Sequence, residues 1–146
     1  MANLFTAEEE KIIVDRIAYV EANSTGEVRI YIESTCPTEA KDRTLDLFVK
    51  YGVDKTVQRN GVLIYIAYES RVFYIWGDEG IHAMVGQNLW EAIIKEVKMH
   101  FAKGEYVLGL CHAIDEIGLK LATFFPRGES ILNNELPDDI IYGNQD

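Results

Sequence analysis

The sequence predicts a three-layer α/β/α sandwich: a small mixed sheet of about four strands with helices on both faces. Two observations carry that expectation. Amphipathic runs of helix length and apolar runs of strand length follow the order helix, strand, helix, strand, strand, helix, helix, which places helices on both sides of one sheet. One run, Val62 to Ala67, is apolar at nearly every position, as in a central strand covered on both faces. A chain of 146 residues with 48% apolar content suits one core and is short for two. The domain is placed at 1–128, and 129–146 is read as an acidic tail docked on it. No repeat, low-complexity stretch or linker interrupts it.

The elements follow in order. Thr6 and Glu9 form a capping-box pattern that opens a helix, and Ile13, Ile17 and Val20 give its inner face. Asn23-Ser24-Thr25-Gly26 ends it. Val28, Ile30 and Ile32 alternate with Arg29, Tyr31 and Glu33, which predicts a half-buried strand. Pro37-Thr38 starts a second helix with Leu45, Phe48 and Val49 inside, and Gly52 ends it. The strand from Val62 turns at Glu69-Ser70, a two-residue turn, and returns as an aromatic-rich strand from Arg71 to Trp76. Gly77 to Gly80 breaks it. Leu89, Trp90, Ile93, Ile94 and Val97 mark a third helix, and Leu110, Ile114, Ile117 and Leu121 a fourth, from Tyr106 to Phe125. A fourth strand falls in the 53–58 loop or in the tail, and the sequence leaves both open.

Charge narrows the function. Against 14 basic side chains stand 24 acidic ones, a formal charge of −10. Such a surface repels phosphate backbones, so the expected partners are divalent cations and an unidentified protein rather than nucleic acid. No stretch approaches the roughly 20 apolar residues of a membrane helix and no leader pattern opens the chain, so neither insertion nor export is expected and the location expected is cytoplasmic. Cys36 and Cys111 lack metal-ligand spacing and are expected to be reduced and packed.

The chemistry gathers where the hairpin strands end. Antiparallel partners bring the loop entering the first strand beside the loop leaving the second. Asp54, Gln58 and Asn60 come from one loop, Asp78 and Glu79 from the other, and Glu27 joins them if its strand pairs antiparallel to the 71–76 strand. Crowded carboxylates repel unless a cation bridges them. Irregular loops with carbonyls available suit Ca²⁺, with Mg²⁺ as the alternative, and there is room in the expectation for two ions. Asp115 either faces the same edge or lies on a solvated helix face. Each acid also has a plain reading: Gly-Asp after a strand is commonly a turn, and Glu27 beside Arg29 suits a salt bridge or cap. His82 is either a general acid or a helix-start histidine, and His100 and His112 show no partners in sequence. Trp76 and Trp90 read as core or as the lip of a pocket, with core the commoner outcome. No nucleophile elbow, P-loop or zinc spacing is present.

Several stretches together resemble the TPM domain family, named from a thylakoid lumen protein, a photosystem repair protein and a worm receptor modulator. They are Ser24-Thr25-Gly26-Glu27-Val28-Arg29-Ile30, Gln58-Arg59-Asn60-Gly61-Val62-Leu63-Ile64-Tyr65, Gly77-Asp78-Glu79-Gly80-Ile81-His82 and Phe124-Phe125-Pro126, with the tail Asn134 to Ile140. The resemblance implies an α/β/α sandwich with crossing loops that hold divalent ions, usually calcium. It makes Asp78 the first ligand, Asp54 the next and Glu27 a third. A metal-dependent acid phosphatase is the alternative it brings. Many members carry an export signal or a membrane or Gly-rich tail, and this chain departs from them in showing neither.

Overall fold

Thr6 sets the start of the first helix, α1 (Ala7–Ala22). Its hydroxyl accepts from the Glu9 amide at 3.1 Å, and the Glu9 carboxylate accepts from the Thr6 amide at 2.8 Å. The predicted capping box is therefore complete. In a computed structural model residues 4–127 and 139–143 are described. Four strands form one sheet: β1 (Glu27–Glu33), β2 (Gly61–Ala67), β3 (Val72–Gly77) and β4 (Ile140–Tyr142), in the order β3-β2-β1-β4. β1 runs parallel to both β2 and β4, and β2 runs antiparallel to β3. The fourth strand thus lies in the tail, and the alternative site holds a 3₁₀ turn at Val53–Lys55. Of the tail expected to dock, residues 129–138 and 144–146 lie outside the described residues.

Side chains of β1, β2 and β3 point alternately into two layers. Val28, Ile30, Ile32, Val62, Ile64, Ile66, Phe73 and Ile75 meet α1, α4 (Gln87–Ala102) and α5 (Tyr106–Phe124). Tyr31, Leu63, Tyr65 and Ala67 meet α2 (Ala40–Lys50) and the 3₁₀ turn. β2 is buried along its whole length, as its composition predicts.

Four expectations need correction. β1 is also buried at all seven positions rather than half-buried. Its polar alternates face α2, where Arg43 holds Glu33 by two hydrogen bonds of 2.8 and 2.9 Å and the Tyr65 hydroxyl donates to the same carboxylate. A buried charge satisfied in this way is tolerated. α2 begins at Ala40, not Pro37, and its buried face is Thr44, Leu47 and Phe48, while Val49 points to solvent. The β2–β3 connection spans Tyr68 to Arg71 instead of two residues, with Arg71 in the left-handed region at φ 57°. A short helix, α3 (Glu79–Val85), follows β3 directly, where only a break was expected.

Trp90 is buried, and Trp76 packs at the edge of the second layer. Both cysteines are free; burial pushes the Cys111 thiol above its ordinary pKa, with smaller opposing and reinforcing effects from Arg16 and Asp115. Among the described residues no helix is long and apolar enough to cross a membrane.

Candidate functional site

The rim of the sheet where β2 begins and β3 ends is built by two interlocked loops. The Asp78 amide donates to the Gly61 carbonyl at 2.9 Å, and the Gly80 amide to the Arg59 carbonyl at 2.8 Å. Contact at Gly80 is so close that an added Cβ would lie 2.3 Å from the Gln58 carbonyl oxygen and 2.6 Å from that of Arg59. Only glycine fits there. Arg59 itself sits at φ 53°, an uncommon conformation for a side-chain-bearing residue.

Glu27 reaches this rim, but not by the route considered from sequence. Its strand pairs parallel with β2, and Glu27 stands opposite Gly61 in register. The Glu27 amide faces the Asn60 carbonyl at 3.5 Å, and the residue is buried.

Arg59 is the organising side chain. Its Nε and Nη2 donate to the two Asp78 carboxylate oxygens at 2.6 and 2.8 Å, and its Nη1 to Glu79 at 3.1 Å. Asp78 also accepts from the Glu79 amide at 2.8 Å, capping α3. The hydrogen bonds that Arg59 donates to Asp78 raise the Arg59 pKa most; burial opposes them, and the charges of Asp78, Glu79 and Asp54 add to them. The carboxylates expected to need a bridging cation therefore have one, a guanidinium on the same loop.

Asp54 completes the acidic side. It lies on the 3₁₀ turn that precedes the Arg59 loop, with one oxygen 3.9 Å from Lys55 Nζ. The other oxygen, Oδ1, is buried without a hydrogen-bond partner. Such an atom loses hydration with no return and calls for a donor or a cation. Asn60 is placed differently: its Nδ2 donates to Thr25 at 3.2 Å and Gln58 at 3.4 Å, and its Oδ1 accepts from Thr56 at 3.3 Å. It ties the loops together internally. The Thr25 hydroxyl donates to Gln58 in the same network.

Asp115 is held elsewhere, by Arg16 of α1 on the outer side of the α1–α5 pair, and this bond raises the Arg16 pKa. His82 follows the rim on α3, where its Nδ1 accepts the Trp90 indole N–H at 3.0 Å. This contact leaves the ring proton on Nε2. His100 and His112 do have partners: His100 contacts Glu105 at 3.0 Å, His112 faces Glu96 at 3.6 Å, and the rings lie 6.1 Å apart.

The donor set tests the implied ion directly. Two Asp78 oxygens, one from Glu79 and the unpartnered Asp54 oxygen are hard oxygen donors of the kind Ca²⁺ takes. Among the described residues, no three carboxylate, imidazole or thiolate groups already surround one point. Arg59 is bonded to Asp78 and Glu79 and feels the charge of Asp54. With 43% of its side chain exposed, it has room to swing outward. The residues therefore fit a divalent ion on the condition that the guanidinium leaves.

A mixed four-stranded sheet, helices on both faces and interlocked acidic loops at one rim define an α/β/α domain with a polar rim site. The chain belongs to the TPM domain family, whose description matches residues 1–120. It is similar to the BA42 protein of the psychrophilic bacterium Bizionia argentinensis, solved by NMR, with 38% identity over 98% of both chains and a TM-score of 0.90. An N-terminal domain from P. gingivalis shares the fold at 21% identity and TM-score 0.69, covering 83% of this chain and 78% of its own. One from Corynebacterium glutamicum does so at 13% identity and TM-score 0.65, covering 90% and 82%. No curated protein matches the chain at significant similarity.

Proposed function

We propose that this TPM domain is a divalent-cation-binding module of calcium type, with a regulatory or protein-interaction role. The ion takes the place of the Arg59 guanidinium between Asp78 and Glu79 and satisfies Asp54. The observation that carries this reading is the buried, unpartnered Asp54 oxygen, whose charge reaches the same guanidinium that Asp78 and Glu79 hold. Glu27, buried at the same rim, and rim carbonyls are the groups that would fill further positions, for one ion or two. Because the ion bridges residues of two loops, binding and loop order are coupled. Mg²⁺, which demands a stricter octahedron, is the weaker ligand here.

A metal-dependent phosphomonoesterase at the same rim is the second reading. Arg59 is the side chain a phosphate would use, but it is engaged by Asp78 and Glu79. An ion that displaced it would free it for an anion, and that coupling is what favours keeping this reading.

Thermal unfolding in chelator, calcium and magnesium, run beside hydrolysis of an aryl phosphate, separates the two. A binding module gains about 2.7 kcal/mol at a free calcium concentration a hundred times its Kd, and it shows no turnover. Saturable turnover abolished by Asp78→Asn would establish the phosphatase instead. An unchanged unfolding curve up to millimolar calcium, without turnover, would end both.

A further inference from the structure

We infer that the outer groove between α1 and α5 is a docking site for a cationic amphipathic helix of a partner protein. The inference goes beyond the rim site and stands without it.

The two helices run side by side in the same direction. Arg16 meets Asp115, Val20 meets Gly118, and Ser24 bridges Pro126. Gly118 makes the approach close, since a Cβ there would lie 2.6 Å from the Val20 side chain. The result is a groove of about 840 Å³ floored by Val20 and Gly118 and walled by Ile12, Tyr19, Leu119 and Ala122. Tyr19 is 71% exposed, Leu119 62% and Ile12 47%. A helix facing only solvent has no need of three large apolar side chains there, and grouped exposure of this kind marks interaction surfaces.

Shape and charge identify the occupant. From Ile12 to Asn23 the groove is about 16 Å long, which accepts roughly three turns of helix. An apolar stripe at helical spacing is the usual ligand of such a groove. Leaving out the buried Glu21, α1 and α5 together carry six acidic and three basic side chains, including Glu8, Glu9 and Glu10 in the first turn of α1. Lys11 and Arg16 pair with Asp15 and Asp115, which leaves Glu8, Glu9, Glu10 and Glu116 against Lys120. The surround is therefore negative and steers a partner whose polar face is basic. A second copy, with a formal charge of −10, is repelled from the same surface.

The test uses the full chain and a helical leucine–lysine peptide of about 14 residues. Methyl spectra of the protein should show shifts at Ile12, Leu119 and Ala122. Tyr19→Ala and Leu119→Lys should each weaken binding by about tenfold or more. Both positions are exposed, so the same spectra confirm that the variants keep the fold. A leucine–glutamate peptide should bind at least about tenfold more weakly than its lysine counterpart. Equal binding of the two peptides, unchanged affinity in both variants, or shifts confined to the acidic rim would overturn the inference. A concentration-dependent dimer in sedimentation that buries these methyls would also overturn it.

Discussion

Replacing Asp54 by Asn should have opposite effects with and without calcium. In the ion-free protein, Asp54 Oδ1 is buried without a partner and the other oxygen sees only a distant Lys55 ammonium. Leaving a buried polar atom unsatisfied costs about 1–3 kcal/mol. An uncharged amide lowers the part of that cost due to charge, so Asp54→Asn should leave stability in chelator unchanged or raise it by up to about 1 kcal/mol. For a domain of this size that is about 2–4 °C in Tm. At a hundredfold excess over Kd, calcium adds about 2.7 kcal/mol to the wild type, or roughly 5–11 °C. The variant should lose most of that gain, so the two proteins change rank between chelator and calcium. Differential scanning calorimetry at matched ionic strength measures both curves. A variant destabilised in chelator that keeps the full calcium gain would refute the reasoning, because Asp54 would then be a structural residue outside the ion's shell.

Arg59→Ala removes the resident cation from Asp78 and Glu79, so calcium affinity measured by titration calorimetry should rise; a fall would make Arg59 part of the loaded site. Gly80→Ala forces a Cβ onto two backbone carbonyls and should cost about 3 kcal/mol, the upper range for overpacking, while weakening calcium binding because the loops part. Tyr65 is held protonated chiefly by burial, and also by hydrogen bonds with Cys36 and Glu33, so its folded pKa lies above the unfolded value. Its contribution to stability is therefore complete below about pH 10 and is lost as pH rises further toward the folded value. Stability followed by denaturant titration should fall more shallowly above that pH in Tyr65→Phe than in the wild type.

Much of the fold was legible because local rules and burial agree. The Thr6 capping box, the apolar run of β2 and the helical spacing of α5 each point one way. The misreadings come from contacts that sequence spacing cannot show. β1 alternates like a half-buried strand, yet Arg43 neutralises Glu33 and the Tyr65 hydroxyl donates to it, from two other elements, which allows full burial. β4 is three residues long and is created by pairing with β1 rather than by its own pattern. At the site, hairpin geometry correctly brings the 58–60 and 78–80 segments together. The role of Arg59 was hidden because it depends on a left-handed backbone that turns the guanidinium back onto Asp78. Nothing local in sequence shows where Asp115 points, because its partner Arg16 is 99 residues away.

Amide and arginine-Nε NMR spectra of the full chain, recorded in chelator and through a calcium titration, test the exchange of guanidinium for ion most directly. The account predicts shifts concentrated in residues 52–60 and 77–82, with the Arg59 Nε–H losing its hydrogen-bonded position as calcium saturates. Unchanged rim amides with Arg59 still bonded to Asp78 at millimolar calcium would contradict it.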